Sequence, residues 1–288
     1  MKLPDERIGS IMIFFEAFLW SLFPILTLLS YKTLSPLFTY SLIMLFSGLT
    51  LTLIITLRKK WHELREWSAI KYTLISTFFI GFLFYFLIFI GLKYTTSGNA
   101  SIVALMEIFF SYIIFNLWYK EKQKGLHLLG AFLMVFGALF ILFPGKILFN
   151  KGDILILIAT IFPPIGNYFS QKARKIISSE MMLFLRTMVV GIIFTALSFM
   201  FSTTPSFSDF NNALPWILIS SIFLFTISKI LWIEGIHRIP VTKAISLSTI
   251  SPVFTLFFAY LIFHDVPTLW QVLGFIPMAI GVFLILKK

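Results

Sequence analysis

The sequence predicts an all-α membrane protein of ten transmembrane helices, arranged as two inverted five-helix repeats around a central cavity. Three observations support this. Of 288 residues, 59% are hydrophobic and 12% charged, whereas a soluble domain is about 45–50% apolar and about 25% charged. Ten apolar runs come close to the roughly 20 helical residues that cross a hydrocarbon core. Residues 91–142 can be laid on 235–286 without a gap, at an offset of 144 residues, half the chain.

The first run, 8–30, is too long for a signal-peptide core and lacks a small-residue cleavage site, so it is expected to remain as a span. Pro24 interrupts it, close to Trp20. Runs 36–57 and 70–92 follow. The fourth run, 97–118, contains ALMEIFFSYIIF with Glu107 inside it, and 125–143 ends the first set. In the second set, 152–170 is broken by Pro163-Pro164, with Asn167 and Gln171 beyond. Run 180–202 holds Arg186, and 214–235 holds Lys229 and Glu234. Run 242–263 holds Ser248, Ser251 and Pro252, and 269–286 is the last. Broken helices in corresponding spans often mark binding sites in membrane carriers. Here a kink without a ligand role is an open alternative, because the offset carries Pro24 to Tyr168, about one turn from Pro164.

Basic residues assign the sides. With the N-terminus cytoplasmic, inside segments hold 17 of the 23 Lys and Arg, including Lys120, Lys122 and Lys124, and outside loops hold Lys32, Lys93, Lys146 and Lys151. Such a bias puts both termini inside and requires an even number of spans. It also accounts for the net charge of +11 without a nucleic-acid partner. Five spans per repeat is an odd number, so the second copy enters the bilayer from the opposite side. The repeats are expected at 1–144 and 145–288. Within them Gly91 pairs with Gly235, Ala100 with Ala244, Gly130 with Gly274, Met134 with Met278 and Gly137 with Gly281. Glu121 pairs with Asp265 after the fourth span of each copy.

The repeat also places a candidate site. Ala100, Ala104, Glu107 and Ser111 share one helical face, and their partners Ala244, Ser248, Ser251 and Thr255 form a second small, polar stripe. Small residues let neighbouring backbones approach or leave room for a cavity, and Glu107 favours the cavity. Pro252 frees a carbonyl one turn back.

Five ionisable residues lie within spans: Glu16, Glu107, Arg186, Lys229 and Glu234. A charge at a helix centre costs about 2.5–3.5 kcal/mol on insertion scales. Each Leu, Ile, Phe or Val contributes about 0.3–0.6 kcal/mol in return, so each span tolerates one. Glu234 is close enough to the inner surface to snorkel toward water. Two readings stay open for the other four. They form structural ion pairs, or they line a polar cavity. There a carboxylate would meet a substrate ammonium or exchange a proton, and a cation would meet a substrate carboxylate.

Several chemistries are excluded. With no cysteine there is no thiol nucleophile or thiolate metal site. Gly145-Lys146 lacks the earlier glycine of a phosphate loop, and His62-Glu63 ends at Glu66 rather than a second histidine. His62, His127, His237 and His264 lie at span ends or in loops without ligand spacing. No cofactor or metal is expected.

The paired segments also resemble a family. GLKYTTSGNASIVALMEIFFSYIIFNLWYKEK followed by GLHLLGAFLMVFGALFIL is similar to the second part of an EamA domain of the drug/metabolite transporter superfamily. GIHRIPVTKAISLSTISPVFTLFFAYLIFHD followed by QVLGFIPMAIGVFLIL resembles the same part of a second domain. The resemblance implies a five-plus-five bundle with the fifth helices, 125–143 and 269–286, peripheral. It implies a transporter rather than an enzyme, moving amino acids, related metabolites or drugs by alternating access. An arginine near the start of the second helix is common in such domains. Arg186 fits that place in the second copy, and Leu42 stands opposite in the first.

The expected protein is thus a multi-pass transporter of the bacterial inner membrane, exporting amino acids or similar small metabolites, with protons as a further partner to be tested. The alternatives are a carrier for larger metabolites or drugs, or a membrane-embedded enzyme or scaffold. Expected binding residues are Glu107, Ser111, Ser248, Ser251, Glu16, Trp20, Asn167, Arg186 and Lys229. Monomer and homodimer are both compatible with the sequence.

Overall fold

A computed structural model describes residues 5–119, 125–142 and 150–286. Helices occupy all ten expected places: α1 Asp5–Ser30, α2 Pro36–Leu57, α3 Trp67–Leu92, α4 from Ser97, α5 Gly125–Leu142, α6 Lys151–Arg174, α7 Ser179–Phe201, α8 Phe207–Arg238, α9 to Phe263 and α10 Leu269–Leu286. Eight of these, all but α5 and α10, are long and apolar enough to cross a bilayer by length and composition. The chain is therefore an all-α multi-pass membrane protein with eight to ten long apolar helices. Lys120, Glu121, Lys122, Lys124 and Lys146 lie outside the described residues.

Local chemistry sets several helix starts. Ser35, Thr96, Asn150 and Ser178 each cap a helix by accepting a backbone N–H, and Pro36 fills the first position of α2, where no donor is needed. Ser206 and Asp209 form a reciprocal capping box at the start of α8.

The contacts between helices are pseudo-symmetric, which suggests an inverted-repeat architecture. α5 packs on α10 and α2 on α7, each beside its own counterpart. A Cβ at Gly137 would stand 2.5 Å from the Gly274 carbonyl, and one at Gly281 would stand 2.5 Å from the Gly130 carbonyl. Gly130, Gly137, Gly274 and Gly281, paired by sequence, lie in the contact between α5 and α10. α1 meets the end of α8 near Gly9 and Gly235, and α6 meets the end of α3 near Gly152 and Gly91.

Four spans are broken or tightened near their middle, and all four contribute to the site. α1 breaks at Ser21–Leu22 and α6 at Thr160–Ile161, each just before a helix that starts with proline at its first turn. α4 breaks at Ala104–Leu105, and α9 tightens into a 3₁₀ turn at Ser248–Ile250, immediately before Ser251-Pro252. α3 and α8 also contain π-helical stretches, Thr77–Phe84 and Ser220–Ser228. A π turn adds a residue, so the face that follows is rotated relative to an α-helix. Side chains of α2 brace both stretches. Tyr40 donates its hydroxyl to the Gly81 carbonyl at 2.5 Å, and Ser47 and Thr226 share a hydrogen bond of 2.8 Å.

Candidate functional site

The broken helices, with α3, α7 and α8, line a cavity of about 150 Å³, room for several waters or a small solute. Glu16, Trp20, Glu107, Asn167, Arg186, Lys229, Ser248 and Ser251 all line it. Eight of the nine residues expected from sequence thus face one space, although they come from six different helices. Ser111 does not line the cavity. It is buried one turn beyond Glu107 in helix packing, and its hydroxyl has no hydrogen-bond partner among the described residues.

The charges are not equivalent. Lys229 donates to Glu16 at 2.8 Å, and Ser228 donates to the same oxygen at 3.3 Å. The Lys229 ammonium also lies 3.2 Å from the centre of the Trp20 ring. An ammonium over an indole face is attracted by the ring's quadrupole. This half of the site is a neutral, internally satisfied pair.

Among the described residues Arg186 pairs with no carboxylate. It donates to the hydroxyls of Ser76 at 2.7 Å and Ser170 at 3.2 Å, so it joins α7 to α3 and α6, and its Nε has no partner among the described residues. Glu107 forms no ion pair among the described residues. The Asn167 amide donates to it at 3.4 Å, and the Asn167 oxygen accepts from the indole N–H of Trp232 at 3.1 Å. The remaining wall is largely apolar, with Phe23 stacked on Trp20 at 4.4 Å and Phe84, Ile88 and Leu92 on α3.

Glu16 and Lys229 are an ion pair, and they line one cavity with Glu107 and Arg186, which form no ion pair among the described residues. Glu234, near the end of its span, accepts from Arg174 at 2.8 Å, Arg238 at 2.6 Å and Ser179 at 2.8 Å, tying α6, α7 and α8 together. The same end of the bundle holds the pairs of Arg58 and Lys60 with Glu180, and of Lys243 with Glu6. At the opposite end Asp153 accepts from Thr95 and Asn99, and Asn99 accepts from Gln271 at 2.9 Å.

Sequence reasoning did not find Trp232, Ser76 or Ser170. Trp232 lies three residues after Lys229, so helical spacing alone puts the two on neighbouring positions of one face. The two serines carried no signal, because small hydroxyls also occur throughout membrane helix contacts.

The description "EamA-like transporter family" matches residues 7–143 and, a second time, residues 150–287. The chain belongs to the EamA-like transporter family. It is similar to the "Uncharacterized transporter YoaV" of Bacillus subtilis, at 26% identity over 255 residues, 84% of this chain and 86% of the relative. It also resembles the "Uncharacterized transporter YyaM" of the same organism, 24% identical over 243 residues, 80% of this chain and 77% of that one. A Synechocystis relative, "Uncharacterized transporter sll1164", is 22% identical over 209 residues, 69% of this chain and 60% of that one. One solved crystal structure superimposes with a TM-score of 0.70 over 96% of this chain and 95% of the other, at 16% identity, a likeness of fold alone. As an EamA-family member the chain is a bacterial multi-pass membrane transporter of small molecules, not an enzyme. Among the described residues no cluster of three or more His, Cys, Asp or Glu could hold a metal.

Proposed function

We propose that this EamA-family transporter carries small zwitterionic metabolites, amino acids or close relatives, and exports them by alternating access. The transport unit is ten transmembrane helices in two inverted five-helix repeats, residues 1–144 and 145–288, around the central cavity, with both termini cytoplasmic. Glu107 receives the substrate ammonium. Arg186, with a guanidinium nitrogen left over, attracts the carboxylate. Ser248, Ser251 and Asn167 supply hydrogen bonds, and Trp20 with the Glu16–Lys229 pair forms a polar, charge-neutral wall. Ser111 stays outside the direct contact set.

One observation supports this reading above the others: Glu107 lies on the cavity wall without a cationic partner among the described residues, while the neighbouring acid Glu16 already has one. A carboxylate held in a low-dielectric interior needs a counter-charge, and a substrate ammonium supplies it. A carrier for larger, multiply anionic metabolites is less well supported, because Lys229 is occupied by Glu16 and leaves Arg186 as the one free cation described on this wall.

The test is a counterflow screen of the purified protein in proteoliposomes against amino acids and related metabolites. Accumulation of labelled zwitterions, with monocarboxylates and nucleotides inactive, is the expected result. A preference for anions lacking an ammonium would overturn it. Uptake driven by an imposed pH gradient then separates proton exchange from facilitated movement.

A further inference from the structure

We propose that Trp232 is a positioning residue that fixes how Glu107 presents its carboxylate, acting through Asn167. It rests on the reading of Glu107 as the substrate's partner and adds what holds that group in place. An indole N–H can only donate a hydrogen bond. Trp232 Nε1 lies 3.1 Å from one terminal atom of the Asn167 amide, so that atom is the carbonyl oxygen. The amide nitrogen must then point the other way, and it does, donating to Glu107 Oε1 at 3.4 Å. Asn167 is 3% exposed, and both ends of its amide have protein partners. One carboxylate oxygen of Glu107 is thereby engaged by a neutral donor, and the other is left for a ligand in the cavity.

The link is specific to one side of the molecule. At the positions 144 residues away stand Ser251, Phe23 and Ile88, which cannot form the same chain of donors. The inverted repeat therefore does not need these bonds in order to pack. They belong to the half of the cavity that holds the uncompensated acid. Trp232 also contributes ring area to the cavity wall, so its N–H must be tested apart from its volume.

A carboxyl-directed, membrane-soluble carbodiimide gives a readout that needs no substrate. The full chain is treated in proteoliposomes, and modification of Glu107 and Glu16 is followed by peptide mass spectrometry. Trp232→Phe keeps the ring and removes the donor. It should speed modification of Glu107 by roughly threefold or more, the effect of releasing one weak hydrogen bond. Asn167→Ala should do the same, and the double variant should not exceed either single one, because both act through one link. Glu16, held by Lys229, serves as the reference and should react as in the wild type. Unchanged Glu107 modification in Trp232→Phe, multiplied effects in the double variant, or a matching rise at Glu16 would each overturn the proposal, the last by showing general loosening. If Trp232→Phe does not insert, benzothienylalanine at position 232, which replaces only the N–H by sulfur, takes its place. A counterflow panel without response would remove the substrate assignment and leave this link standing. Unchanged modification would remove the link and leave the transport reading.

Discussion

Glu16 and Lys229 meet at 2.8 Å across the middle of the bundle, joining the first helix to the eighth. They are 213 residues apart in the chain and come from opposite halves. Placing a lone charge in a membrane helix is costly, and placing two that meet is much less so. The pair gives Lys229 a carboxylate partner, whereas Glu107 and Arg186 line the same cavity without an ion-pair partner among the described residues.

Removing one member should therefore hurt more than removing both. Glu16→Gln or Lys229→Met leaves an uncompensated charge and should cost about 3–5 kcal/mol. The double variant should recover most of that loss. Thermal unfolding in detergent micelles measures all three, and a double variant as unstable as the sum of the singles would show that the pair is not coupled.

The glycine contact between α5 and α10 makes a symmetric prediction. Gly137→Ala and Gly281→Ala each drive a Cβ to within 2.5 Å of a carbonyl oxygen on the facing helix. Each should cost about 1–3 kcal/mol through overpacking, and the two values should agree. A loss for one and none for the other would contradict mirrored packing.

Because the chain has no cysteine, single thiols report access without further engineering. Ser248→Cys, on the cavity wall, should react with a small water-soluble thiol reagent. Ser111→Cys, buried off the cavity, should stay protected under the same conditions. Equal reaction rates in the folded protein would remove the distinction between the two sites.

Glu234 holds the basic end of α6, α7 and α8 together through Arg174, Arg238 and Ser179. Glu234→Gln weakens two charge-assisted contacts and should cost about 1–3 kcal/mol. It should also raise the reactivity of Ser248→Cys toward reagent added from that side. Labelling that stays unchanged would show that this cluster does not close the end of the bundle.

Much of this was legible in the sequence, for physical reasons that can be named. Hydropathy located the helices, because lipid requires long apolar runs with internally satisfied backbones. Gly130, Gly137, Gly274 and Gly281 were visible as a repeat, and close helix approach explains why Gly137 and Gly281 are glycine. Glu107, Glu16, Arg186 and Lys229 stood out because a membrane makes each charge conspicuous. What could not be read was partnership. Nothing in the spacing says that Lys229 takes Glu16 rather than Glu107, since that depends on how α1 and α8 meet in space. The π-helical stretches Thr77–Phe84 and Ser220–Ser228 carry no proline and show no change of composition. They shift the register of α3 and α8, and with it the placement of Tyr85, Lys229 and Trp232. Ser111 was misleading for the opposite reason. It shares the helical face of Glu107 on an ideal helix, but the cavity ends before reaching it.

The central claim is that the carboxylate of Glu107 meets the positive end of a transported zwitterion, and counterflow by Glu107→Gln tests it most directly. In proteoliposomes holding the same amount of folded protein, this variant should lose about tenfold or more of the wild-type flux, as expected when a charged hydrogen-bonding partner is replaced by a neutral one. Its unfolding temperature should stay close to that of the wild type. Flux equal to wild type from a correctly inserted Glu107→Gln protein would contradict the account.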